Sequence, residues 1–169
     1  MTDAASPTAP KPIDSRGPRY VGGFTFFIAI VALAFALING VEPTLLGRVL
    51  SPEFILVFVL WVSFGLGTIV GNGAHPFAAF FKAVIRPRLG PGETEDPRPP
   101  RFALLIGFVL TTVGLVLELA AVPYGLVAAI AFIVIASFLQ AFVGYCLGCQ
   151  VYLLLARAGI IRPRVPLAV

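Results

Sequence analysis

The two cysteines of this 169-residue chain stand three apart, in Tyr145-Cys146-Leu147-Gly148-Cys149-Gln150. That spacing brings two sulfurs within bonding reach. At a helix N-terminus, unpaired backbone N–H groups also lower the pKa of the first thiol and favour thiolate chemistry. Cys146 is therefore the candidate nucleophile and Cys149 the resolving thiol of a disulfide-exchange or sulfur-relay reaction. Two thiolates also make half of a zinc or iron–sulfur site, which takes four ligands. The chain has no second C-x-x-C, so a metal on Cys146 and Cys149 needs another subunit or unusual ligands. His75, the one histidine, is a candidate base or third ligand. A plainer reading competes: cysteines in membrane helices are small packing residues, and a histidine at a helix start is a cap or a headgroup contact. No cofactor is expected from the chain's motifs, since it has no Walker loop, no G-x-G-x-x-G after a strand, no H-E-x-x-H and no serine-triad pattern.

The elements that must position these residues follow from composition. Hydrophobic residues make up 59% of the chain and charged ones 12%, and the mean hydropathy is +0.98. A water-soluble domain cannot hide that much apolar surface, whereas a lipid bilayer solvates it, and a span of about 20 apolar residues crosses its core. Four such blocks occur, at about Tyr20–Asn39, Ser51–Val70, Phe102–Ala121 and Gly125–Gly144. The second opens on Ser51-Pro52-Glu53, a capping serine, a proline at the first helical position and an acid in the first turn. Continuous blocks, not alternating ten-residue segments, mean helices and not a barrel. The first block exceeds the apolar core of a signal peptide and more spans follow it, so it reads as a span.

Lys and Arg set the orientation. Lys11, Arg16 and Arg19 precede the first span; Lys82, Arg86, Arg88, Arg98 and Arg101 lie between the second and third; Arg157, Arg162 and Arg164 follow the fourth; only Arg48 falls in the other two loops. The positive-inside rule then predicts a multi-pass protein of the plasma (inner) membrane with both termini cytoplasmic and Tyr124 anchoring the outer interface. The net charge of +4 is spent on these flanks, so no nucleic acid is expected as a partner; the lipid bilayer is. Residues 1–12 are polar and rich in Pro, Ala, Ser and Thr and read as a disordered cytoplasmic tail, leaving residues 13–169 as a single transmembrane domain.

Two motifs recur in order. Asp14-Ser15-Arg16-Gly17-Pro18-Arg19-Tyr20 and Asp96-Pro97-Arg98-Pro99-Pro100-Arg101-Phe102 share D-x-R-x-P-R-aromatic, and each half closes on I-R-P-R, at Ile85–Arg88 and Ile161–Arg164. The fold class expected is thus an all-α membrane protein of four transmembrane helices, built as two parallel two-helix repeats (residues 13–90 and 95–166), each followed by a short cytoplasmic-side helix. Aligning the halves puts His75 close to the position opposite Cys149, and a twofold axis would carry it towards the thiols. Glu118, the only acid inside an expected span beyond the first-turn Glu53, is placed to reach water at the outer interface. Gln140, Asn39 and Asn72 are expected to bond between helices, Trp61 to pack, and the small residues around Gly65 and Gly107 to let helices approach closely.

The strings Asp96-Pro97-Arg98-Pro99-Pro100-Arg101-Phe102 and Gly144-Tyr145-Cys146-Leu147-Gly148-Cys149-Gln150-Val151-Tyr152 resemble the bacterial membrane family DUF4395, a domain of unknown function, over about Ile13–Arg157. The resemblance implies the same topology and directs attention to C-L-G-C without implying an activity; His75-Pro76-Phe77 stands where members often carry S-P-F. It also implies a thioredoxin-like or sulfurtransferase protein as partner, because some members look to be encoded near such proteins. Two functions are then in view: thiol-based redox or sulfur handling through Cys146 and Cys149, and a non-catalytic accessory subunit of a membrane complex. Aromatic-rich outer faces favour a homo-oligomer in either case.

Overall fold

The computed structural model describes residues 12–90 and 92–160. The polar N-terminal tail lies outside them, as does the second I-R-P-R at Ile161–Arg164. The chain opens with a short strand β1 (Ile13–Asp14) and helix α1 (Arg16–Asn39). A connection containing α2 (Leu45–Leu50) leads to α3 (Pro52–Ile69). A 3-10 turn (Asn72–Ala74), α4 (Pro76–Phe80), a π-helical turn (Phe81–Ile85) and α5 (Arg86–Leu89) follow. Strand β2 (Thr94–Glu95) then precedes α6 (Arg98–Leu119), α7 (Gly125–Phe138) continued by a second π-helical turn (Leu139–Val143), and α8 (Leu147–Arg157). Four helices are long and apolar enough to cross a membrane: α1, α3, α6, and α7 with its π-helical turn. This is an all-α, multi-pass membrane protein.

Helices α1 and α6 begin about a turn earlier than their apolar blocks, and the D-x-R-x-P-R strings explain why. Asp14 Oδ1 accepts the backbone N–H of Arg16 at 3.0 Å, and Asp96 Oδ1 that of Arg98 at 2.9 Å. Pro18, Pro99 and Pro100 then fall within a first turn, where no N–H is needed. The last arginine of each string caps a different helix. Arg101 donates to the carbonyls of Thr68 and Ile69 at 2.9 and 3.1 Å, and Arg19 to that of Ala141 at 3.4 Å. These carbonyls close α3 and the α7 continuation, which have no intrahelical partners left for them. As the sequence suggests, Ser51 Oγ accepts the N–H of Phe54 at the head of α3, with Pro52 at its first position.

The spans pack in a ring of four contacts: α1 on α3, α3 on α6, α6 on α7 and α7 on α1. Ala29, Ala32, Val57, Leu60, Leu126 and Ile130 fill the centre. Small residues set the spacing between α3 and α6. A Cβ on Gly65 would lie 3.1 Å from the ring of Phe108, and one on Gly107 the same distance from the ring of Phe64. Trp61 stacks on Phe58 and Phe108 and donates its Nε1–H to Thr112 Oγ1 at 2.7 Å. Outward faces are as apolar as inward ones, with Phe27, Ile38 and Phe132 among the exposed residues, as helices surrounded by lipid require. Each pair of spans is followed by short helix that folds back on the first span of its pair, α4 on α1 and α8 on α6. Strands β1 and β2 pair antiparallel, Ile13 opposite Glu95, and tie the two halves together beside these helices.

Candidate functional site

The connection from α7 to α8 holds both cysteines. Gly144 adopts φ 76°, a left-handed conformation that costs a glycine little, and the Tyr145 N–H returns to the Leu139 carbonyl at 2.9 Å. Cys146 follows in extended conformation as the N-cap of α8, and its Sγ accepts the N–H of Cys149 at 3.3 Å. The two sulfurs are paired as a disulfide, with Cα atoms 5.2 Å apart. Sulfur thus occupies the place that Ser, Thr, Asp or Asn oxygen usually takes. When the pair is reduced, a Cys146 thiolate accepts that N–H more strongly than a thiol does. The glycine inside C-L-G-C has a different cause. A Cβ on Gly148 would sit 2.6 Å from Cα and Cβ of Ala103, so α8 lies directly against α6, with Tyr152 beside the ring of Phe102 at 5.7 Å.

Cys146 lines a cavity of about 510 Å³ that His75, Thr25, Asn72, Ser137 and Gln140 also line. The structure therefore brings two of the three residues singled out in the sequence to one set of walls, with Cys149 one helical turn from Cys146. His75 does not behave as a cap or a headgroup contact. It is 0% exposed, makes no side-chain cap bond to α4, and sits between the rings of Phe64 and Phe77 at 5.9 and 5.3 Å. Gly67 makes room for it, since a Cβ there would be 3.1 Å from its Cδ2. Neither ring nitrogen has a hydrogen-bond partner among the described residues, and burial pushes the pKa down to about 4. His75 is thus a neutral imidazole at physiological pH, with one donor and one acceptor available.

At the mouth of the cavity stand Asp14, Lys82 and Arg86. Asp14 takes the guanidinium of Arg16 through both carboxylate oxygens at 3.1 Å, and Arg86 Nε approaches it at 3.4 Å. The side-chain hydrogen bond from Arg16 holds the Asp14 carboxyl below the usual range.

The polar residues expected to join helices do so: Gln140 donates to the Pro18 carbonyl, Asn72 to that of Pro97 and Asn39 to Glu53, each at 2.9–3.0 Å. Glu118 departs from expectation. It does not reach out to water but is 4% exposed, and Glu53, in the first turn of α3, is 1% exposed. The connection between α1 and α3 folds over this end of the bundle, where Arg48 donates to the carbonyls of Glu42, Pro43 and Leu119, and so closes Glu118's route to solvent. Among the described residues no three His, Cys, Asp or Glu side chains are gathered as a metal site requires. Thr25 was invisible to sequence reasoning, because a threonine within an apolar block carries no signal of which way it faces.

No curated protein and no solved structure matches this chain. The family described as domain of unknown function DUF4395 matches residues 13–157, which include every helix that lines the cavity, and the chain belongs to that family.

Proposed function

We propose that this protein is a membrane-embedded thiol–disulfide redox protein in which Cys146 and Cys149 form a reversible pair. The observation that carries the reading is the placement of Cys146 as the sulfur N-cap of α8, bonded to Cys149 and set in the wall of a cavity. The basic flanks favour a cytoplasmic position for this end of the bundle in the plasma membrane. Thiols there are kept reduced, so disulfides in that compartment are chiefly transient and catalytic. In the forward step a Cys146 thiolate attacks one sulfur of a partner disulfide, and the partner's other sulfur leaves as a thiolate. Cys149 thiolate then attacks Cys146 Sγ and releases the partner as a dithiol. Atoms and electrons balance: this pair is oxidised by two electrons and the partner is reduced by two. A thioredoxin-like protein has the matching chemistry. The matched roles of Asp14 and Asp96, and of Arg19 and Arg101, support descent of the two halves from one two-helix unit.

The test is alkylation of each cysteine against pH in native inverted membrane vesicles, with and without a chelator. Cys146 is expected to label with an apparent pKa well below the ordinary thiol value of about 8.5, and the chelator to change nothing. Slow labelling of both residues at every pH under reducing conditions would leave an inert packing motif, as in an accessory subunit. Protection relieved by the chelator would mean a metal.

A further inference from the structure

Six buried side-chain polar atoms lack a hydrogen-bond partner among the described residues, and four of them belong to residues of the one cavity: Thr25 Oγ1, Asn72 Oδ1, and Nδ1 and Nε2 of His75. Native proteins leave few such atoms, because each forfeits its solvation with no bond in return. Thr25 and Thr68 are the two buried hydroxyls left without a partner, and of these Thr25 lines the cavity. Ser63, Thr111, Thr112 and Ser137 all bond back to the carbonyl four residues earlier, whereas Thr25, 3% exposed, does not. The rest of the lining is largely apolar, including Val21, Phe64, Leu104, Leu110 and Ile133. A volume near 510 Å³, apolar walls and a few convergent polar groups are the marks of a small-molecule site. The lining also includes Phe132 and Ile135 of α7, which are 65% and 56% exposed on the outer face of the bundle. The cavity is therefore open sideways, towards lipid, as well as at the Asp14, Lys82 and Arg86 end.

We propose that this cavity binds a lipid-soluble quinone, with its ring oxygens on His75 and Thr25 and its tail leaving between α6 and α7, and that the quinone exchanges two electrons with Cys146 and Cys149. The choice of ligand class follows from three features. The route from the bilayer admits an apolar molecule. The orphaned groups include donors and acceptors together: a neutral imidazole and a hydroxyl donate to the carbonyls of the oxidised ring, and the imidazole and Asn72 Oδ1 accept from the hydroxyls of the reduced one. Cys146, one sulfur of a two-electron pair, lines the same walls. In the step itself the two S–H bonds break and the Cys146–Cys149 bond forms. The two electrons and two protons released convert the quinone to its quinol. This electron-transfer step rests on the thiol reading above; quinone binding does not.

The experiment uses the full chain in phospholipid nanodiscs, reduced and then freed of reductant, under anaerobic conditions, with decylubiquinone as the probe. The pair is expected to oxidise as quinol appears in step with it. His75→Phe and Thr25→Val should each slow this about tenfold, the loss of one hydrogen bond of about 1.4 kcal/mol, while oxidised glutathione still oxidises Thr25→Val at the parent rate. Thr25→Val, nearly isosteric, carries the test if His75→Phe does not assemble. A photoreactive azidoquinone should label cavity peptides of the Cys146→Ser/Cys149→Ser variant as well as those of the parent. Oxidation by glutathione disulfide without oxidation or labelling by the quinones would overturn the proposal and leave the thiol reading standing. Labelling with thiols inert to both oxidants would defeat the thiol reading and the electron-transfer step and uphold the quinone site. Labelling displaced equally well by a simple fatty acid would identify an acyl-chain pocket and overturn the proposal.

Discussion

His75 shows how one side chain can link the site to the stability of the whole. Its folded pKa of about 4 lies below the ordinary 6.5 because burial disfavours the imidazolium. Between pH 6.5 and pH 4 the unfolded chain therefore binds a proton that the folded protein refuses, so stability is fully present above 6.5 and falls as the pH drops through this window. The loss amounts to about 3 kcal/mol at most. Asp14, which shares the cavity, adds its own loss only below the ordinary carboxylate range, because its bond to Arg16 holds the carboxyl down. Thermal unfolding of detergent-solubilised protein across pH 4–7 should show this slope, and His75→Phe should flatten it. An unchanged slope in the variant would place the titrating group elsewhere.

At the scale of the element, C-L-G-C combines two separate requirements in four residues. The sulfurs cap α8, and Gly148 allows α8 to lie on α6 at Ala103. A valine at 148 must push the helices apart by more than a side-chain adjustment can absorb, since what it meets is the Ala103 Cα. Gly148→Val should therefore destabilise the fold by about 1–3 kcal/mol, the usual cost of overpacking, seen as a lowered melting temperature, and should raise the alkylation rate of Cys149 as α8 lifts away. Gly73→Val, at a position where an added Cβ meets nothing within 4 Å, should do neither. The two π-helical turns also lie at the cavity, through Phe81, Lys82 and Gln140, and such turns recur where a helix is re-aimed towards a functional site.

For the whole molecule the testable matter is which side of the membrane each end faces. The β1–β2 pair, α4, α8 and the mouth of the cavity share one end of the bundle, and Tyr124, 75% exposed, stands at the other. In a background with both native cysteines replaced by serine, Tyr124→Cys should react with a membrane-impermeant maleimide in intact cells, and Glu93→Cys only after permeabilisation. The reverse pattern would invert the topology and move the thiol pair to the oxidising side.

Much of this architecture was legible in the residue order. Continuous apolar blocks specify spans because a bilayer leaves no alternative to internally bonded helices, and Ser51-Pro52 marks a helix start because capping is local chemistry. The C-x-x-C named the cysteines as partners for the same reason, since three residues of separation need no tertiary contact to bring two sulfurs together. What the fold alone decided is where the remaining polar groups point. The order of residues gave no hint that Thr25 would face a cavity while Thr111 bonds to its own helix. Glu118 is buried because a distant connection closes over it. His75 and Cys146, 71 positions apart, meet one cavity only because α4 folds back on α1 and α8 on α6. In lipid, hydropathy scarcely distinguishes the face of a helix that meets a neighbour from the face that meets solvent, so helix rotation is set by packing, and it is packing that assembles the site.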